Sequence, residues 1–321
     1  MKAFERKIFS HLNIRTRLEN MIALLTSNNL TARDKWLGFF FVLPSLILFL
    51  SLVVYPLLFG IRLSFINANN LRGTGEFIGL GNFLTILQTG VFWDALWKGI
   101  VWTVGSVAIE LVIGIALALL VNLDFYGRTL ARGLILFPYL VPVVVATLVW
   151  RWMFNDLYGV INYVLKEAGL VDSSVLWLSS IPWAMLSVIL VGAWRFFPFT
   201  TISALGRLQT IPPELHEAAT IDGASAWDRF WDVTMVQLRD VLLVAMLFRV
   251  IWAFNDFGTI YLLTGGGPVL STRTLPLLVY ELGFKIFRIG RAAAVAVMMM
   301  LILSLFLLLY FRIAMRQTEE K

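Results

Sequence analysis

Ile211-Pro212-Pro213-Glu214-Leu215-His216-Glu217-Ala218-Ala219-Thr220-Ile221-Asp222-Gly223-Ala224 separates two long apolar runs, at about 181–205 and 241–264. Pro213 suits the first turn of a helix, where its missing N–H costs nothing. Glu214 and Glu217 lie toward the positive N-terminal end, and Gly223 is placed to close the helix in a left-handed cap. A second short helix is expected over about 225–232. The pattern predicts a polar helical hairpin, with Ala218 and Ala219 keeping its surface low enough for another protein to approach closely.

The flanking runs each have the ~20 residues that a helix needs to cross a bilayer. Four more runs of that kind lie at about 36–65, 97–121, 133–153 and 291–311. Composition agrees with six spans: 59 % of the 321 residues are hydrophobic, mean hydropathy is +0.82 and only 14 % are charged. Soluble domains carry roughly 25 % charged residues, so this chain lacks the polar surface to stay in solution. Even alternation is absent, which excludes a transmembrane barrel. The fold class expected is all-α: six transmembrane helices with a cytoplasmic helical loop at 206–239.

Orientation follows from Lys and Arg. Residues 1–35, the loops after the second and fourth runs, and the C-terminal tail together carry fifteen; the opposite side carries five. Basic loops stay in the cytoplasm, so both termini and the 206–239 loop are placed there. The net charge of +6 is explained in the same way and does not require nucleic acid. Residues 1–35 are basic, and Leu12, Ile14, Leu18, Met21, Ile22 and Leu25 recur at roughly helical spacing. An amphipathic cytoplasmic segment is expected there, followed by the membrane domain at 36–312 and a tail at 313–321.

Catalytic motifs are missing. There is no GxxxxGK[ST] phosphate loop, no HExxH and no GxSxG. With no cysteine and only His11 and His216, no thiolate or histidine metal centre is expected. Gly265-Gly266-Gly267-Pro268 follows a span and reads as a turn just outside the membrane.

Ionisable residues inside spans are expensive and are functional candidates by default. Glu110, Arg195 and Arg249 sit near span centres, and Asp256 lies toward the outer face. Arg249, Trp252 and Asp256 share one helical face. A guanidinium, an indole and a carboxylate there form a surface suited to a sugar; Trp194, Arg195 and Phe197 stand at similar depth. The alternative is that these charges pair and only hold helices together, for instance Glu110 with Arg195 or Arg249. That alternative is the better account of Glu110.

Glu217-Ala218-Ala219-x3-Gly223, preceded by Ile211-Pro212 and set between two spans, resembles the EAA loop of ABC importer permeases. Trp252-Ala-Phe-Asn255-Asp256-Phe257 with Leu263-Thr264-Gly265-Gly266-Gly267-Pro268 is similar to the end of the fifth span in carbohydrate-uptake permeases of the maltose-permease-like kind. So are Ile78-Gly79-Leu80-Gly81-Asn82-Phe83 and Phe137-Pro138 to Pro142. The resemblance covers about 36–312. Where the family usually places Pro, after Thr234-Met235, this chain has Val236, so a less sharp turn into the fifth span is expected.

The resemblance implies a permease subunit of a binding-protein-dependent importer in a prokaryotic inner membrane. It implies a second related permease, two ATP-binding cassette subunits that hold ATP and Mg, an external solute-binding protein, a sugar or oligosaccharide solute and surrounding lipid. No cofactor is implied in this chain. Glu217, Ala218, Ala219, Asp222 and Gly223 would couple to the ATPases. Trp194, Arg195, Phe197, Arg249, Trp252, Asn255 and Asp256 would line the path. Two central arginines leave neutral oligosaccharide, acidic oligosaccharide and glycerol phosphate open. A secondary transporter would instead need paired carboxylates on broken helices and no large docking loop.

Overall fold

The computed structural model describes residues 32–70 and 72–319, with side chains for 37–70 and 72–312. The amphipathic segment expected over 1–35 and the tail at 313–321 therefore lie wholly or largely outside the described residues. The chain divides into two compact units, Met1–Phe59 and Gly60–Lys321. In the first, the described chain is helical, with a π-turn at Leu50–Val54. That helix belongs to the apolar length α1, Leu37–Ser64.

The second unit contains α2 (Gly81–Gln88), α3 (Gly90–Asn122), α4 (Arg128–Leu140), α5 (Val143–Met153), α6 (Val160–Glu167) and α7 (Ile181–Leu208). There follow α8 (Pro213–Ile221), α9 (Ala226–Asp228), α10 (Val236–Phe254), α11 (Gly258–Leu263), α12 (Leu275–Tyr280) and α13 (Ile289–Glu319). No β-strand occurs among the described residues, only an isolated bridge between Ile66 and Phe77.

Among the described residues four helices are long and apolar enough to cross a membrane: α1, α3, α7 and, over Ile289–Arg312, α13. A fifth is counted if α4 and α5 form one span. The expected straight helix at 133–153 is instead bent by 93° between these two. The cause is Pro142, which caps α5 and has no N–H to continue the ladder of α4. The run at 241–264 also differs from expectation. Its helix, α10, starts earlier, carries Arg239, Asp240 and Arg249, and stops at Phe254 before the short α11.

Val236 explains the early start. The helix that begins at Ala226 does not end near 232, as the sequence suggested. It runs through a π-turn at Arg229–Met235 into α10, with the Val236 N–H bonded to the Val233 carbonyl. A proline there would remove that donor.

Helices α3, α7 and α10 form the centre. Glycines let α3 and α7 close up: a Cβ at Gly114 would sit 2.6 Å from Thr200, and one at Gly192 would overlap the Trp102 ring. Trp102 is buried and donates from Nε1 at 2.8 Å to the Ala253 carbonyl in the last turn of α10, which also accepts the Asp256 N–H at 3.0 Å. Toward one end an apolar cluster of Phe92, Phe254, Leu275, Val295 and Met298 joins α3, α10, α12 and α13. Toward the loop end Ala118, Ala204, Leu208 and Leu238 join α3, α7 and α10.

Candidate functional site: a helical loop and a polar centre

The loop is built by its caps. Pro212 precedes α8 and Pro213 occupies its first turn, with Glu214 following. At the other end the Gly223 N–H donates to the Thr220 carbonyl at 3.1 Å and the Ala224 N–H to Ala219 at 2.9 Å. Together these satisfy two orphan carbonyls in a Schellman arrangement. Gly223 has φ +83° and open space where a Cβ would stand, so its glycine is required by conformation, not by crowding.

Ser225 then caps the next helix. Its hydroxyl donates to the Asp228 carboxylate at 2.6 Å, its N–H donates to the same oxygen at 3.0 Å, and Asp228 N–H returns a bond to the Ser225 oxygen. These bonds hold the Asp228 carboxyl below its ordinary pKa. Arg229 Nη1 closes the hairpin on the Ala224 carbonyl at 2.9 Å. Arg207, in the last turn of α7, reaches Gln237 on α10 by two bonds, at 3.0 and 2.5 Å. The hairpin is thus pinned at its base to both helices that emerge from it.

On this frame Glu217, Ala218, Asp222 and Gly223 are exposed and Ala219 is half-buried. Sequence reasoning missed Trp227, Phe230 and Trp231, whose rings pack together at 5.0–6.1 Å while Trp227 stays exposed. Their spacing of 0, 3 and 4 was the available signal.

The polar centre joins the three core helices. Arg249 Nε on α10 donates to both Glu110 oxygens at 2.8 Å, and Thr200 Oγ1 on α7 donates to Glu110 Oε1 at 3.0 Å. Glu110 and Arg249 are 0 % and 1 % exposed. The guanidinium carbon of Arg249 lies 3.7 Å from the Phe196 ring centre, and that of Arg195 lies 4.7 Å from it.

Of the seven path candidates, Arg195 and Arg249 are brought together around Phe196, and Arg249 also approaches the Trp252 ring at 5.9 Å. Arg249 has no exposed face in this conformation; its Nε pairs with Glu110, one of the two partners that the sequence had left open, and its Nη1 is buried without a hydrogen-bond partner. Trp252 is 43 % exposed, against Phe199 and Phe248. Asn255 is exposed, its amide donating to the Ile251 carbonyl. Asp256 accepts from Thr259 N–H at 3.0 Å and Oγ1 at 2.6 Å. Trp194 is half-buried against Trp150, and Phe197 is half-buried. Phe196 and Thr200 were missed; neither bears a charge that would mark it in a span.

Residues 110–318 match the family model described as "binding-protein-dependent transport system inner membrane component". The chain is 36 % identical over 288 residues to a probable ABC transporter permease protein of Brucella suis biovar 1 (strain 1330), covering 90 % of this chain and 100 % of the relative. It is 32 % identical over 290 residues to the trehalose/maltose transport system permease protein MalF of Thermococcus litoralis, covering 89 % and 97 %. The fold is similar to a chain in the crystal structure of a bacterial ABC transporter involved in the import of the acidic polysaccharide alginate. The TM-score is 0.77 at 22 % identity, over 88 % of this chain and 96 % of that one.

Proposed function

The chain belongs to the family of binding-protein-dependent transport system inner membrane components and is a non-catalytic ABC-transporter permease subunit; on that premise we propose that it forms half of the path for a sugar or oligosaccharide and is driven through its 206–239 loop. ATP is hydrolysed on two partner cassette subunits. A second, related permease supplies the other half of the path, and an external binding protein delivers the solute. Both termini and the loop face the cytoplasm of a prokaryotic inner membrane.

One observation carries this reading. The loop is an exposed helix whose α-turns end in an obligatory glycine, and Arg207 ties its base to α7 and α10. A push on Glu217, Ala218, Ala219 and Asp222 is passed to the two helices that hold Arg195, Trp252 and Asn255. Rigid-body motion is the expected output, because a capped hairpin transmits displacement better than a free loop. Trp194, Arg195, Phe197, Trp252, Asn255 and Asp256 are assigned to the path, with Arg249 behind them.

Gly223→Pro tests the coupling. Proline forces φ near −65° and removes the N–H given to Thr220. In the full complex, solute uptake should fall at least about tenfold while assembly and ATP binding persist, because proline cannot adopt the left-handed conformation that closes the hairpin. Undiminished uptake would show that this loop does not transmit the stroke.

A further inference from the structure

A polar pocket of 260 Å³ lies at the end of α7 opposite the 206–239 hairpin. Its walls include Arg151 on α5, Asn155 and Asp156 in the turn that follows, Ser179 just before α7 and Thr264 just after α11. The turn and the segment facing it are fixed. Asn162 on α6 is buried; it accepts from the Val175 N–H and from Trp177 Nε1, both at 3.0 Å, and donates to the Val175 carbonyl at 3.0 Å. A Cβ at Gly159 would overlap the Asn155 carbonyl, so glycine alone lets the turn fold back this tightly.

The polar groups of the pocket are not spent on one another. The Ser179 hydroxyl donates to Asp156 Oδ2 at 2.6 Å, but Asp156 Oδ1 is buried and has no hydrogen-bond partner. A buried acceptor left unmet is costly, more so on a charged group. The Asn155 side-chain oxygen accepts the Leu157 and Tyr158 N–H groups at 2.9 and 3.1 Å, while its amide nitrogen donates to nothing among the described residues. The exposed Arg151 guanidinium has no partner among them either.

One unmet acceptor and two unmet donors thus line one cavity. A hydroxyl both donates and accepts. Two neighbouring hydroxyls of a sugar ring therefore suit the whole set, one donating to Asp156 and the other accepting from Arg151 or Asn155. A simple cation would suit Asp156 and meet the like charge of Arg151; a simple anion would do the reverse. Phe154 adds an apolar wall. Pockets for drug-sized ligands run from about 300 to 1,000 Å³, so 260 Å³ suits a single ring. The site is distinct from Trp252. That indole packs on Phe199 at 5.4 Å, and α7 rises about 27 Å from Ile181 to Phe199.

We propose, resting on the saccharide-import reading and topology above, that this pocket is a second saccharide subsite at the outer mouth of the path, where Asp156 and Arg151 hold one ring by its hydroxyls. Cells with the full transport system, and an otherwise identical strain lacking this chain, are offered trehalose and oligosaccharides from starch, cellulose, xylan, alginate and pectin. Depletion is followed by mass spectrometry. Chain-dependent loss of none of them overturns saccharide import and the inference with it. The saccharide that is lost becomes the probe. Leu178→Cys places a thiol on the pocket wall of a chain with no native cysteine. In the membrane complex in nanodiscs, without the external binding protein, the probe should slow maleimide labelling of that thiol saturably. The slowing should persist with Trp252→Ala and vanish with Asp156→Ala. The inference is overturned, and saccharide import left standing, by no slowing, by slowing only once the binding protein is added, or by equal slowing at Ser173→Cys outside the pocket. Slowing that survives Asp156→Ala, or that vanishes with Trp252→Ala, overturns it too. Independently of the cysteine, Arg151→Gln should lower the initial uptake rate at subsaturating probe about tenfold, the scale of a lost hydrogen bond from a charged group. Uptake at the wild-type rate overturns the proposal.

Discussion

Replacing Glu110 by Gln strands the Arg249 charge. In the native protein Arg249 Nε lies 2.8 Å from both carboxylate oxygens, and both side chains are out of contact with solvent. At about 4 Å between charge centres and an effective dielectric of about 20, the attraction is ~4 kcal/mol. Breaking a buried pair from one side costs about 3–5 kcal/mol, since the remaining ion is left unpaired. Gln keeps an acceptor for the Thr200 hydroxyl, which places the loss at the lower end, ~3 kcal/mol. At about 2–4 °C per kcal/mol, the melting temperature falls by about 6–12 °C. The assay is the fraction of intact complex that survives heating in lipid nanodiscs, read by size exclusion. Glu110→Gln with Arg249→Gln should recover much of the loss, because removing both charges is cheaper than stranding one. Melting of the single variant within about 2 °C of wild type, less than 1 kcal/mol, would refute the reasoning. So would a double variant less stable than the single.

Three further outcomes are expected. Gly192→Ala should destabilise the protein by about 1–3 kcal/mol through overpacking against the buried Trp102 ring, measured by the same thermal assay. Ser225→Ala should speed hydrogen exchange at the start of α9 by about fivefold at neutral pH. The folded Asp228 carboxyl is depressed, so the cap is fully present above its ordinary pKa and lost as pH falls through the folded one; the difference between the two proteins should shrink below about pH 4. Because the native chain has no cysteine, Ser173→Cys and Ser225→Cys can be probed singly in intact cells with an impermeant thiol reagent. Ser173→Cys should label and Ser225→Cys should not; the opposite pattern would invert the topology.

The family, and the local structure of its loop, were legible in the sequence for a local reason. Pro213 at the first turn, Gly223 at the left-handed cap and the alanines between act within a dozen residues, so their conformations are set by near neighbours. Apolar length is local too, and it located α1, α3, α7 and α13. The breaks were less legible. Hydropathy treats 133–153 and 241–264 as uniform, although Pro142 bends the first and the second stops as a helix at Phe254.

Only the tertiary structure decided which charge is spent and which is available. Arg195 and Arg249 are the same residue type at similar depth, and the sequence offered Glu110 either as partner. The choice depends on how α3, α7 and α10 rotate about their axes, and that rotation is set where glycines meet bulky side chains, at Gly114 against Thr200 and Gly192 against Trp102. With those contacts made, Glu110 faces Arg249 across 139 positions of chain. Local pattern determines whether a helix forms and how far it runs; the azimuth of its polar residues is a property of packing, which no single segment contains.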